Sequence, residues 1–244
     1  MPHYDKAPIT EAIIDIKTEQ PAALRFEDLE PIKQHLTGYT QGETRGIGQA
    51  MLQFAPSVQA SAALKPWALV FRNESNNQVL QVRLDGFTFS RLKPYEDFER
   101  LKSEARRLWD IYREFVRPKT ITRVAVRYIN QFDFPGDSVE PEEYLNTYPH
   151  IPDKLPAGLR NFGPFLMNLR MPQPDLKGLM TINQGNTPIM IEGLIPIVLD
   201  FDLSVENPIV ATEEELWAFF EKLRERKNLY FEASITDKTR ELIR

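Results

Sequence analysis

The chain has 244 residues, of which 42% are hydrophobic and 27% charged, a composition typical of globular proteins and a length that can bury a substantial core. Its net charge of −5 lacks the basic excess of general nucleic-acid binders, and the absence of cysteine excludes disulfides, a thiolate nucleophile and cysteine-ligated metals. Because no apolar run approaches the ~18 residues of a membrane-spanning helix and the N-terminal segment does not resemble a secretory signal, we expect a soluble, cytoplasmic protein without membrane or nucleic-acid partners.

The first part of the chain predicts a strand, a short helix and a series of further strands. Alternation in the isoleucine-rich segment 9–18 predicts a strand. Segment 26–36 predicts a short helix with acidic residues in its first turn, where the helix dipole favours them. Further strands are predicted in QAMLQF, WALVFRN, VLQVRLDG and FTFSRL, and the polar segment 73–78 predicts a hairpin turn.

A long amphipathic helix is predicted for residues 95–118, and Pro118 ends it. Its apolar residues recur at spacings of three and four and define the face expected to pack on the sheet. They are Phe98, Leu101, Ala105, Leu108, Tyr112 and Phe115.

The second part of the chain repeats this order of elements. A strand begins at Ile121, a short helix is predicted in PEEYLNTY, and strands follow in FLMNLRMP, GLMTINQ and MIEGLIPIVLDFDLSV. A second amphipathic helix is predicted for 212–226, and Ser234 and Asp237 resemble a capping box before a last short helix. The sequence therefore predicts an α+β fold: a mainly antiparallel sheet with two long amphipathic helices and an internal duplication of a strand–helix–strands–helix unit, with halves 1–118 and 119–244.

Four predicted strands carry acids and arginines on one face and apolar residues on the other. From this charged face, Arg83, Arg123, Arg127 and Gln131 are candidate ligand-binding residues. Either the face lies in water, with cross-strand ion pairs that contribute well under about 1 kcal/mol each, or it lines a cavity for an anionic ligand. Antiparallel sheets commonly expose one face, which favours the first interpretation.

Acidic residues on the same strands allow an alternative interpretation as a metal site. Carboxylates of this kind bind hard cations, and the candidate ligands are Glu11, Asp15, Glu192, Asp200 and Asp202. The three histidines have no ligand spacing, no serine lies in a nucleophile elbow, and RGIGQA lacks the end of a phosphate-binding loop. The sequence therefore predicts no catalytic residue and no cofactor.

Several segments together resemble a sporadically distributed bacterial and archaeal protein family of about this length. They are APITEAIIDI, FTFSRLKPYEDFERLKSEARRLWDIY, RVAVRYINQF, PIVLDFDL and NLYFEASIT, and they span essentially the whole chain. The family has no assigned activity, cofactor or catalytic residue, so the resemblance implies none. Its patchy distribution suits an accessory component of a mobile defence or toxin–antitoxin module.

A second resemblance concerns the triphosphate-tunnel enzymes, whose first strand carries Glu-x-Glu-x-Lys. The corresponding residues here are Ile13, Asp15 and Lys17, preceded by Glu11, so isoleucine replaces the first acid. We therefore expect a non-enzymatic binding or protein-interaction protein, a homodimer or bound to an unknown protein partner or small anionic ligand. The alternative is a metal-dependent phosphohydrolase that uses the five acids as cation ligands and Arg83, Arg123 and Arg127 on phosphate oxygens.

Overall fold

The computed structural model describes residues 4–54, 58–136, 140–152, 154–156, 163–187 and 192–244, with side chains described outside 47–64. The strands are β1 (Ile9–Thr18), β2 (Thr40–Phe54), β3 (Val58–Asn73), β4 (Gln78–Arg83), β5 (Gly86–Leu92), β6 (Ile121–Pro135), β7 (Leu166–Gln173), β8 (Gly178–Asn186) and β9 (Leu194–Glu206). The α-helices are α1 (Phe98–Val116), α2 (Pro141–Tyr144), α3 (Glu213–Ser234) and α4 (Asp237–Ile243), and 3-10 helices cover Phe26–His35 and Glu74–Asn76.

Hydrogen-bonded strands follow the order β2-β3-β4-β5-β1-β6-β9-β8-β7. Neighbours in the series β2 to β5 and in the series β7 to β9 pair antiparallel. The prediction of an α+β fold with a large, mainly antiparallel sheet is therefore confirmed. The predicted strand that includes residues 190 and 191 begins at Leu194 in the structure, and those two residues lie outside the described part of the chain. No helix among the described residues is both long enough and apolar enough to cross a membrane.

The chain divides into two compact units. We call residues 14–91 and 97–123 the N-terminal unit, and residues 1–13, 92–96 and 124–244 the C-terminal unit. Strands β1 and β6 contribute residues to both. The C-terminal unit thus includes the start of the chain, whereas the halves expected from the sequence were continuous; that division remains a prediction.

The core of the N-terminal unit forms where α1 presents its apolar face. Asp97 begins the helix, and its side chain accepts a hydrogen bond from the Arg100 backbone N–H at 2.8 Å. The ring of Phe87 on β5 contacts Trp109 and Tyr112 of α1 at centroid distances of 5.9 and 6.2 Å. The predicted helix face is thus buried, with one exception: Phe115 is only half-buried and packs edge-on against His35 at 4.9 Å.

The C-terminal unit contains the longest α-helix described, α3, with 22 residues. It begins at the cap residue Thr212, as predicted, but continues to Ser234 instead of ending at 226. The predicted capping box at Ser234 is wrong, because Ser234 is the last residue of α3. Ile235 then adopts an extended conformation and forms a β-bridge with Leu145. The next helix, α4, therefore has Thr236 as its N-cap instead of Ser234.

Candidate ligand-binding site

Two rows of polar side chains run across the strands, one in each unit. In the N-terminal unit, Asp15 of β1 lies at the centre. Its carboxylate accepts hydrogen bonds from the Arg83 Nη1 atom at 2.8 Å, from the Arg123 Nη1 atom at 2.9 Å and from the Thr88 hydroxyl at 2.6 Å. Arg83 also donates to Thr88 and to Asp85, and its guanidinium lies 5.3 Å from the ring of Trp67.

In the C-terminal unit, Asp200 of β9 lies at the centre of the second row. Arg127 of β6 donates to both carboxylate oxygens, at 2.9 and 2.7 Å, in a bidentate ion pair. Asn183 lies opposite Asp200 in the β8–β9 register and donates to it at 2.9 Å. Asn168 in turn donates to Asn183 at 2.6 Å, which extends the row to β7.

These rows correct the expectation of a charged face in water. Arg83 and Asp200 are each 3% exposed. The Asp200 side chain is 4% exposed and pairs with the Arg127 side chain, which is 42% exposed, whereas alternation along a strand gives only the face and not what covers it. The ion pairs are therefore partly desolvated, so the attraction within each pair is screened less than in an ordinary surface pair, while removal of one partner leaves a buried charge uncompensated.

The proposed metal ligands do not form a metal site in the part of the chain that the structure describes, where no group of three or more His, Asp or Glu side chains is placed to hold an ion. Arg127 interacts with three of them instead. Its hydrogen bond with Asp200 raises its pKa, and the charges of Asp200, Asp202 and Glu11 raise it further. Glu192 is exposed at the start of β9.

Gln131, the fourth candidate ligand-binding residue, donates its side-chain amide to Asp133 at 2.9 Å. It lies beside a shallow cavity of about 350 Å³ that Lys6, Pro8, Lys93 and Ile243 also line. The structure therefore places Gln131 away from the Asp200 row and on the wall of a cavity. The cavity continues along Lys6, Pro8 and Lys93 to a larger neighbour.

This larger cavity has a volume of about 470 Å³ and lies entirely within the C-terminal unit. Its wall comes from the segment before β1, from the segment between β5 and α1, from β6 and from α3. The lining residues are Tyr4, Asp5, Lys6, Ala7, Pro8, Ile9, Lys93, Pro94, Tyr95, Glu96, Asn130, Lys227, Asn228, Phe231 and Glu232. Aromatic and proline side chains beside a few charged groups are typical of small-molecule sites.

Lys227 is the buried cation of this wall. It is 4% exposed, and its ammonium lies 3.8 Å from the centroid of the Tyr128 ring and 5.8 Å from that of Phe231. Among the described residues it makes no hydrogen bond or ion pair. Burial, together with the charge of Arg224, lowers the pKa of Lys227 to about 7, and the charge of Glu232 opposes the shift.

The other groups around Lys227 are paired among themselves. Glu232 accepts hydrogen bonds from the Tyr4 hydroxyl at 3.0 Å and from Arg240 at 3.3 Å. The hydroxyls of Tyr95 and Tyr128 lie 3.2 Å apart, and burial raises the pKa of Tyr128 well above its ordinary value. Glu232, the carboxylate whose charge acts on Lys227, therefore already has hydrogen-bond partners of its own.

Sequence reasoning missed Lys227 because the predicted helix ended one residue before it. Once α3 is extended to Ser234, the buried positions Leu216, Phe220, Leu223, Lys227 and Phe231 follow spacings of three and four. A lysine on the apolar face of a helix is the signal that could have identified the site.

Comparison with known proteins shows a partial similarity to a bacterial protein. No protein-family model matches the chain. The effector protein hopAD1 of Pseudomonas syringae pv. tomato is 27% identical over 114 residues, which is 47% of this chain and 17% of that protein. The chain therefore spans only a small part of the relative that it matches.

Proposed function

We propose that the protein is a non-enzymatic binding protein and that its 470 Å³ cavity takes a small organic anion with an aromatic or aliphatic body. One observation carries the proposal: Lys227 is buried in the cavity wall and makes no ion pair among the described residues. An isolated buried ammonium is costly, and a carboxylate that enters the cavity offsets this cost.

The rest of the wall supports the same ligand class. Pro8, Tyr95 and Phe231 provide contact surface for an apolar body. Lys6 and Lys93 are exposed members of the lining and favour the approach of an anion. The volume lies within the range of small-molecule sites.

Binding is tested by calorimetry with benzoate and its neutral analogue benzyl alcohol at pH 6.5. We expect benzoate to bind at least about tenfold more tightly, because one buried charge interaction contributes 1.4 kcal/mol or more. Lys227→Met abolishes this preference, whereas Lys222→Met, which changes an exposed lysine of the same helix, leaves it unchanged. Equal affinity for the two compounds in the wild type would contradict the proposal.

The phosphohydrolase alternative finds less support in the geometry. Arg83, Arg123 and Arg127, which it assigns to phosphate oxygens, donate instead to strand carboxylates. The binding function needs no rearrangement of these pairs.

We also propose the internal duplication that the sequence suggests. The route of the strands supports it, because β1 neighbours β5, β4 and β3 in the same manner as β6 neighbours β9, β8 and β7, and a long helix follows each series. The cap residues Asp97 and Thr212 are 115 residues apart (212 − 97). At this offset the buried residues Leu101, Ala105, Leu108, Tyr112 and Val116 of α1 correspond to Leu216, Phe220, Leu223, Lys227 and Phe231 of α3, all of them buried.

The biological setting that we propose is an accessory bacterial module in the cytoplasm, of the defence or toxin–antitoxin type, in which the protein is a homodimer or bound to a protein partner. The partial similarity to a protein named an effector agrees with an accessory role. Light scattering tests the homodimer, for which we expect twice the chain mass of 28.3 kDa.

A further inference from the structure

The environment of Lys227 suits a nucleophilic amine as well as a cation. Lys227 lines a cavity large enough for a small molecule, and the Tyr128 ring lies against its ammonium. Because Lys227 makes no hydrogen bond among the described residues, the lone pair of its neutral form is not engaged by a neighbouring donor. Amines desolvated in apolar pockets are the usual Schiff-base nucleophiles of proteins.

We propose that Lys227 forms an imine with small aldehydes that carry an anionic group. This inference rests on the proposed function, since the same cavity must admit the organic ligand. Lys6 or Lys93 then pairs with the anionic group, and Lys227 meets the carbonyl carbon.

The reaction is a condensation without any change of oxidation state. The nitrogen lone pair of Lys227 forms a bond to the carbonyl carbon, and a proton passes from nitrogen to oxygen to give a carbinolamine. The hydroxyl takes up a second proton from solvent and leaves as water, while the nitrogen forms the C=N bond and loses its remaining proton. One water molecule is released for each imine formed.

Burial makes Lys227 more reactive towards aldehydes than an exposed lysine, because it increases the neutral fraction of the amine. With a pKa of about 7, roughly three-quarters of the Lys227 side chains are neutral at pH 7.5. A lysine with the ordinary pKa of about 10.4 is neutral in only about 0.1% of molecules at that pH. An exposed lysine such as Lys222 therefore provides the matched comparison.

The test is reductive trapping of the full chain with 4-formylbenzoate and sodium cyanoborohydride at pH 7.5, followed by peptide mass spectrometry. We expect labelling of Lys227 at least about tenfold above that of Lys222. Excess benzoate, which occupies the cavity but has no aldehyde group, protects Lys227. Benzaldehyde serves as a neutral second probe, and Lys227→Met and Lys222→Met serve as variants, with folding checked by circular dichroism.

The outcomes separate the imine from the binding function. Uniform labelling of surface lysines overturns the imine, and if benzoate still binds, the binding function stands. Labelling of Lys227 by both aldehydes alike, without binding of, or protection by, benzoate shows a reactive amine but overturns the preference for anionic aldehydes together with the anion-binding function. The benzoate competition uses the wild type, so the result does not depend on the folding of a variant.

Discussion

Lys227 and Asp200 show how the same unit treats two buried charges differently. Asp200 accepts three hydrogen bonds, two of them from a guanidinium, so its charge is compensated within the fold. Lys227 has aromatic rings beside it and lies at a cavity. The interaction with the Tyr128 ring recovers part of the solvation lost on burial. Asp200 thus has its partners within the fold, whereas Lys227, an uncompensated charge in a cavity wall, is the group on which the proposed binding site rests.

Lys227→Met should change how stability depends on pH. Lysine has a pKa of about 10.4 in an unfolded chain, whereas the pKa of Lys227 in the folded state is about 7. Between these values the unfolded state binds more protons, so the wild type gains stability as pH rises, by at most about 1.4 kcal/mol per pH unit. We therefore expect the Met variant to be more stable than the wild type at pH 6 and its advantage to shrink towards pH 9.5, as measured by urea unfolding.

Other ionisable groups surround Lys227 and remain in the variant. They are Arg224 and Glu232 on α3, Tyr128 on β6, and Tyr4, Asp5, Lys6, Lys93, Tyr95 and Glu96 along the cavity. Because both proteins contain these groups, their titration largely cancels in the difference between the free energies of unfolding of the wild type and Lys227→Met. Lys222→Met should give a difference that does not vary with pH, and an equally flat result for Lys227→Met would show that the lysine is not desolvated.

Arg127→Met tests the pair with Asp200. The substitution leaves the 3% exposed carboxylate with Asn183 as its remaining side-chain donor among the contacts described. Because the Arg127 side chain itself is 42% exposed, we expect a loss of about 1–3 kcal/mol in the free energy of unfolding, below that of a fully buried pair. Asp200→Asn in the same background should recover part of the loss. Arg170→Met, at an exposed position of β7, is the control and should change the free energy of unfolding little. An equally small change for Arg127→Met would contradict the view that Arg127 compensates the buried Asp200.

At the scale of elements, the spacing of apolar residues predicted most helices and strands but little of the candidate site around Lys227. The α1 face was predictable because its apolar spacing is uninterrupted and Pro118 stops the helix. The end of α3 was not, because a lysine at position 227 resembles a return to polar surface unless Phe231 is counted as part of the same face. The partners of Arg83 and Arg127 depend on which strands become neighbours, and pairing across β6 and β9 joins residues 73 apart in sequence.

Truncation of the two helix faces tests this assignment. Leu108 of α1 and Phe220 of α3 are 1% and 0% exposed, as expected from the sequence. Each leaves a cavity when replaced by Ala, so we expect losses of about 2–5 kcal/mol in the free energy of unfolding by denaturant titration. Leu229→Ala, on the 58% exposed side of α3, should cost less than about 0.5 kcal/mol. Losses under about 0.5 kcal/mol at both buried sites would mean that the faces are wrongly assigned.

At the scale of the whole molecule, the internal duplication that we propose pairs Tyr112 of α1 with Lys227 of α3, two residues of different chemistry. Tyr112 of α1 fills its position with a ring, and its hydroxyl donates to the backbone oxygen of Arg83 at 3.2 Å. Burial raises the pKa of Tyr112 to about 12, so it stays neutral. At the corresponding position of α3, Lys227 borders a cavity. If the units arose by duplication, one kept a closed core and the other opened the cavity that we propose as a binding site.

The melting temperature in the presence of metal separates the binding function from the phosphohydrolase alternative. Asp15 and Asp200 hold arginines, and a cation must displace these before it can bind. A ligand stabilises a protein only by binding its folded state, so we expect millimolar Mn²⁺ or Mg²⁺ to leave the melting temperature within about 1 °C of its value in EDTA. Asp202→Asn, at the half-buried neighbour of Asp200, should behave like the wild type in this assay. A rise of several degrees with Mn²⁺ that disappears in Asp202→Asn would replace the binding function with a metal-dependent one, because only a site that includes this carboxylate gives that pattern.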